Sequence, residues 1–114
     1  IVVGYGRFGQ TVAQMLSARG CEVTLIDWKP AQIEMTATFG AKVFYGDGTR
    51  IDLLRQADAA EAQIIAFCID GVLPARKLEP ILEAFPQATV FVRAFDRRHL
   101  MELDGLDVAG TVRE

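Results

Sequence analysis

Short apolar runs punctuate this chain: IVVG (1–4), EVTLID (22–27), AKVFYG (41–46), QIIAFCI (63–69) and TVFVRA (89–94), with a sixth strand or tail between Asp107 and Val112. Longer stretches of helical period separate them, and that alternation builds βαβ units around a parallel sheet. Arg7 to Arg19 sets Phe8, Val12, Met15 and Leu16 on one helical face and stops at Gly20. Pro30 suits a first helical position, and its helix runs to Phe39 before Gly40 ends it. A short helix follows from Arg50 to Gln56. Leu73 to Phe85 is again helical in period; Pro74 fits the first turn, whereas Pro80 falls inside and should kink or divide it. Asp96 is placed to cap a helix through Leu103. QIIAFCI lacks polar alternation, as a central strand buried on both faces should. The pattern predicts one α/β domain, a doubly wound parallel sheet of about six strands in the order 3-2-1-4-5-6 with helices on both faces.

The 114 residues suffice for a core without staples. A net charge of −3 offers no general attraction for nucleic acid or anionic lipid, which argues against a nucleic-acid partner. No apolar run approaches the ~20 residues that a spanning helix needs, so the segment reads as soluble. Cys21 and Cys68 lie among apolar neighbours and fit reduced core packing better than a disulfide or metal site, which points to the cytoplasm. The chain opens inside its first strand without a Met, and it reads as a segment of a longer protein.

The first strand runs into GYGRFG, three glycines spaced G-x-G-x-x-G at a strand–helix junction. The spacing marks a Rossmann-like phosphate turn only in that context. Gly4 permits the tight turn, Gly6 lets a pyrophosphate approach the backbone, and Gly9 lets the helix pack against the sheet. The helix start offers unpaired N–H groups and the positive end of its dipole. Asp27 lies 18 residues after Gly9, at the end of EVTLID, where a carboxylate can accept both ribose hydroxyls. Its charge would repel a 2′-phosphate, which favours NAD(H) or AMP over NADP(H). The alternative is a tight turn with an incidental surface aspartate. Arg7 reaches either the phosphates or solvent, and Trp28 either stacks on adenine or closes a core edge. In YGDGT, Asp47 serves either a ligand hydroxyl or the loop's own N–H groups, and Thr49 can cap the helix from Arg50. Arg93 ends a strand and needs a partner, either Asp70, Asp96, a ligand or an interface.

Catalytic sets are missing from the pattern. His99 is the sole histidine and reads as a surface or half-buried helix residue. Ser17 is the only serine and sits mid-helix; no tyrosine precedes a lysine by four residues.

GYGRFGQ, LIDWKP, KVFYGDGT, AFCID and VRAFD fall in order, each at or near the carboxyl end of a successive strand. From Gly4 to Arg93 the chain resembles the N-terminal nucleotide-binding lobe of RCK/KTN (TrkA-N) domains, and is most similar to the glutathione-regulated Kef-type potassium/proton antiporters. The resemblance implies that residues 1–114 are one such lobe, bound to an adenine nucleotide, AMP or NAD(H). Gly4, Gly6, Arg7, Phe8 and Gly9 would cradle phosphate, and Asp27 would take the ribose. Asp47, Gly48 and Thr49 would lie beside the adenosine, Asp70 would line the crevice, and Arg93 would stand near it and near a dimer surface. It further implies a homodimer, glutathione or its adducts as nearby ligands, and an attached membrane transport domain with the lobe at the cytoplasmic face of the inner membrane. Family members often carry a second acid after the ribose carboxylate, where this chain reads Asp27-Trp28-Lys29, so AMP and NAD(H) both stay open. The resemblance implies regulatory binding without enzymatic activity. Other readings are the cofactor half of an NAD-dependent dehydrogenase and a soluble Trk-type potassium-uptake subunit.

Overall fold

A computed structural model describes residues 1–29, 41–69, 71–94, 96–106, 108 and 110–113, the last four by their backbone. The helix expected from Pro30 to Phe39 and residue Asp70 lie outside the described residues.

Six parallel strands form one sheet in the order β3-β2-β1-β4-β5-β6. They are β1 (Val2–Val3), β2 (Thr24–Asp27), β3 (Lys42–Tyr45), β4 (Ile64–Phe67), β5 (Thr89–Ala94) and β6 (Gly110–Arg113). The described helices are α1 (Arg7–Ala18), α2 (Ile51–Gln56), α3 (Ala75–Ala84) and α4 (Arg97–Leu103), with a 3₁₀ turn at Ala59–Glu61. β1 is the hinge of the order: Val3 pairs with Ile26 on one side and Phe67 on the other. Strand order reverses there, so the carboxyl ends of β1 and β4 diverge into a crevice.

Strand alternation sorts the apolar residues into two cores. Val2, Leu25, Ala66 and Cys68 pack with Tyr5 and Ala13 under α1. Val3, Ile26, Ile65, Phe67, Val90 and Val92 pack with Leu54, Leu78, Ile81 and Leu103 under α2, α3 and α4. Burial of β4 on both faces follows the sequence expectation. Tyr5 is fully buried, and its hydroxyl has no partner among the described residues.

Several local expectations are corrected. Pro80 sits inside α3, which runs unbroken from Ala75 to Ala84. Proline there forfeits the one amide bond to the preceding turn, and burial of Leu78 and Ile81 holds the helix against that loss. Cys21 is exposed beyond the end of α1, while Cys68 is buried. His99 is 2% exposed rather than at the surface or half-buried. Its Nε2–H donates to the Leu73 carbonyl at 2.6 Å, tying α4 to the segment after β4.

Candidate functional site

A cleft of about 350 Å³ opens along the carboxyl ends of β1, β2 and β4. Residues 3–6, 26–29, 46–49, 68–69 and 72–74 line it, together with Lys77. Its volume lies within the range of small-molecule sites.

The glycine turn forms one wall. Gly4 adopts φ +89°, and a Cβ there would press on the Cys68 backbone and the Ile69 amide at 3.0 Å. Gly4 N–H still donates to the Ile26 carbonyl at 2.8 Å, so the turn begins inside the sheet. A Cβ on Gly6 would meet nothing within 4 Å, because that side faces open cleft. Gly9 differs: a Cβ would collide with the Gly4 carbonyl oxygen, so α1 can seat on the sheet only with glycine there. Gly6 is the N-cap of α1 and no side chain caps the helix. The amides of Arg7, Phe8 and Gly9 fall among the four that a first turn leaves without intrahelical partners.

Asp27 is 7% exposed and joins two walls. Its Oδ2 accepts the Tyr5 N–H at 2.8 Å and its Oδ1 accepts the Lys29 N–H at 3.1 Å. One carboxylate thus fixes the glycine turn to the end of β2. Each oxygen retains a further lone pair as an acceptor.

The turn after β3 forms the opposite wall. Asp47 Oδ1 accepts both the Thr49 N–H at 2.9 Å and the Thr49 hydroxyl at 2.7 Å. The Thr49 hydroxyl bond holds the Asp47 carboxyl below the usual range; the Thr49 amide and the charges of Lys77 and Arg50 add to it, against partial desolvation. Thr49 therefore does not cap the next helix: α2 starts at Ile51 with Arg50 as an N-cap that makes no side-chain bond. Gly48 is buried, and a Cβ there would run into the Val3 side chain, so this glycine lets the turn fold back across β1.

Of the residues singled out in the sequence, the cleft gathers Gly4, Gly6, Asp27, Trp28, Asp47, Gly48 and Thr49. Trp28 is 73% exposed at its rim, not at a core edge. Arg7, Phe8 and Gly9 belong to the first turn of α1, outside the lining, and Arg7 points to solvent. Arg93 stands apart from the lining with its guanidinium carbon 5.2 Å from the centre of the Phe8 ring, a cation–π arrangement. Burial pushes the Cys68 thiol up to about 11, with the Arg93 charge opposing. Asp70 lies outside the described residues. The sequence reading missed Lys77 and Val72, which come from the segment after β4; the carboxyl end of that strand was the available signal. Among the described residues no group of three His, Cys, Asp or Glu side chains could hold a metal, and no helix is long and apolar enough to cross a membrane.

The TrkA-N domain family model matches residues 1–113. The glutathione-regulated potassium-efflux system protein KefC of Cronobacter sakazakii is 38% identical over 115 residues, covering 100% of this chain and 18% of KefC. The KefC of Salmonella paratyphi B is 39% identical with the same coverage. This chain therefore spans under a fifth of the length of these relatives. Among solved structures, the Shewanella denitrificans Kef CTD in AMP-bound form superposes with a TM-score of 0.83 at 41% identity, covering 99% of this chain and 69% of that one. The TrkA-N domain of the Escherichia coli inner membrane protein ybaL gives 0.82 at 15% identity, covering 98% and 84%, which shows the shared fold alone.

Proposed function

The chain belongs to the TrkA-N domain family, and from that footing we propose that it is a regulatory domain of a potassium-efflux protein, governed by an adenine nucleotide in the cleft. The observation that carries the reading is the Asp27 carboxylate bonded to the Tyr5 amide. That bond holds a ribose acceptor at a fixed offset from the uncapped start of α1, so the sugar and phosphate of one nucleotide are addressed by a single rigid unit. The phosphate would take the amides of Arg7, Phe8 and Gly9, where the helix dipole favours an anion. Its close approach uses the open side of Gly6. The 2′- and 3′-hydroxyls would donate to the free lone pairs of Asp27. Trp28 would stack on the base, bordered by Asp47 and Thr49.

AMP is the ligand of the Shewanella Kef CTD, which supports AMP here. NAD(H) would use the same turn and carry its second half over α1 toward Phe8 and Arg93. Regulation requires that the nucleotide bind one arrangement of the longer protein more tightly than another, since equal affinity shifts nothing. The KefC relatives support attachment to a transport domain and potassium efflux as the output. Pairing of two lobes, a glutathione-type ligand and a place on the cytoplasmic side of the membrane belong to the same proposal.

Calorimetry with AMP and with NADH tests the first step. One-site binding is expected, and its absence for both nucleotides at millimolar concentration contradicts the proposal. Potassium efflux from vesicles carrying the full-length protein tests the second step. A nucleotide-dependent rate is expected, and an indifferent one removes the regulatory role.

A further inference from the structure

One wall of the cleft is a loop that a distant helix holds. Residues 71–74 join β4 to α3 without helix or strand structure, and Val72, Leu73 and Pro74 line the cleft. Val72 is half exposed there, whereas Leu73 is buried in the core that also takes Leu103 of α4. The Leu73 carbonyl accepts the His99 Nε2–H at 2.6 Å, a buried bond between residues 26 apart. His99 is fixed at its other end as well, because its backbone N–H donates to Asp96 Oδ1 at 2.8 Å. The helix that bears it packs on β5 and β6, exposes Met101 and supplies no described residue to the cleft lining. His99 thus bridges the cleft wall and an element outside the cleft.

We propose that His99 is a positioning residue that transmits nucleotide occupancy from the cleft to α4. An occupant covering Val72 would take apolar surface out of water and hold residues 72–74 in one place. The Leu73 carbonyl would then be a fixed partner, and any opening of α4 would have to break the His99 bond against it. Breaking a buried bond strands a donor and an acceptor away from water, so the link carries free energy. That is a coupling between two places: α4 opens less readily when the cleft is filled. Closed α4 dominates in either case, so the coupling shows in its rare openings and hardly at all in AMP affinity. The inference rests on the nucleotide reading and adds a route from the site to the rest of the protein.

Amide hydrogen exchange with and without saturating AMP tests it in this chain and in its His99 variants. In the unmodified chain AMP should slow exchange at residues 100–103 about tenfold. His99→Phe keeps a ring and loses the donor; it should bind AMP within about threefold of the unmodified chain, with the slowing cut below about twofold. His99→Asn, too short to reach Leu73, serves in its place if the Phe variant does not fold. His99→Gln restores an N–H donor near the Nε2 position and should recover most of the slowing. General stabilisation by AMP acts alike on every variant and cancels in this comparison. A purely structural histidine would speed α4 exchange equally with and without AMP, leaving the ratio of the unmodified chain, and that result overturns the inference. So does a ratio near one in the unmodified chain, or a Gln variant as deficient as Phe. Protection of residues 4–9 by AMP reports on the nucleotide reading separately, and its absence in the unmodified chain takes down that reading as well.

Discussion

Two of the described helices start just beyond the carboxyl end of a strand, and they treat their first amides differently. At α4, Asp96 accepts the His99 N–H at 2.8 Å, so the chain supplies its own anion. At α1, the cap is Gly6 and no side chain arrives. Among the described residues the acid that reaches that turn is Asp27, and its oxygens accept from Tyr5 and Lys29 instead. A helix start satisfied internally is a structural joint. One left open beside a cleft is a place for an outside anion. Two of the three glycines of that turn repeat the contrast, since Gly9 has no room for a side chain and Gly6 faces empty space.

Substitutions can break or sharpen that contrast. Gly9→Val should have the largest effect, because its first carbon already collides with the Gly4 carbonyl. A stability loss of about 3 kcal/mol or more is expected in urea unfolding, the upper end for overpacking. Gly6→Val should leave the unfolding midpoint nearly in place while nucleotide affinity falls by about 100-fold in calorimetry, or ~2.7 kcal/mol. Unaltered binding would put the phosphate elsewhere. Asp27→Ala should act on both properties, because it strands the buried Tyr5 amide as well as removing the proposed ribose acceptor. A loss of about 1–3 kcal/mol is expected in unliganded stability, with a separate loss of about 1.5–3 kcal/mol in binding. Asp96→Ala should cost about 1 kcal/mol of stability, the usual worth of a cap, and leave nucleotide affinity unchanged. A binding defect in that variant would erase the distinction between the two helix starts.

Much of this contrast was readable in the residues. The apolar runs announced the strands, and their lengths and spacing announced the order seen around β1. Asp96 followed by a helical stretch announced its cap. The distance of Asp27 from the glycines marked it as a candidate ribose acceptor, but did not reveal it as the anchor of Tyr5. That bond joins residues 22 apart and exists only once β2 lies beside β1. Lys77 escaped for the same reason, since only packing brings the first turn of α3 to the turn after β3. His99 read as a surface or half-buried helix residue, and it is fully buried with its Nε2–H on the Leu73 carbonyl. Thr49 misled in the opposite direction: its hydroxyl donates to Asp47 Oδ1, and no side chain caps α2. Local grammar fixes elements and some of their caps, whereas contacts between elements decide which polar atoms remain for a ligand.

A crystal structure of the domain grown with AMP puts the account to its most direct test. The phosphate should lie against the amides of Arg7, Phe8 and Gly9 with the ribose hydroxyls on Asp27 and the Tyr5 bond preserved. Density that places the nucleotide away from the glycine turn, with Asp27 touching only Tyr5 and Lys29, would contradict it.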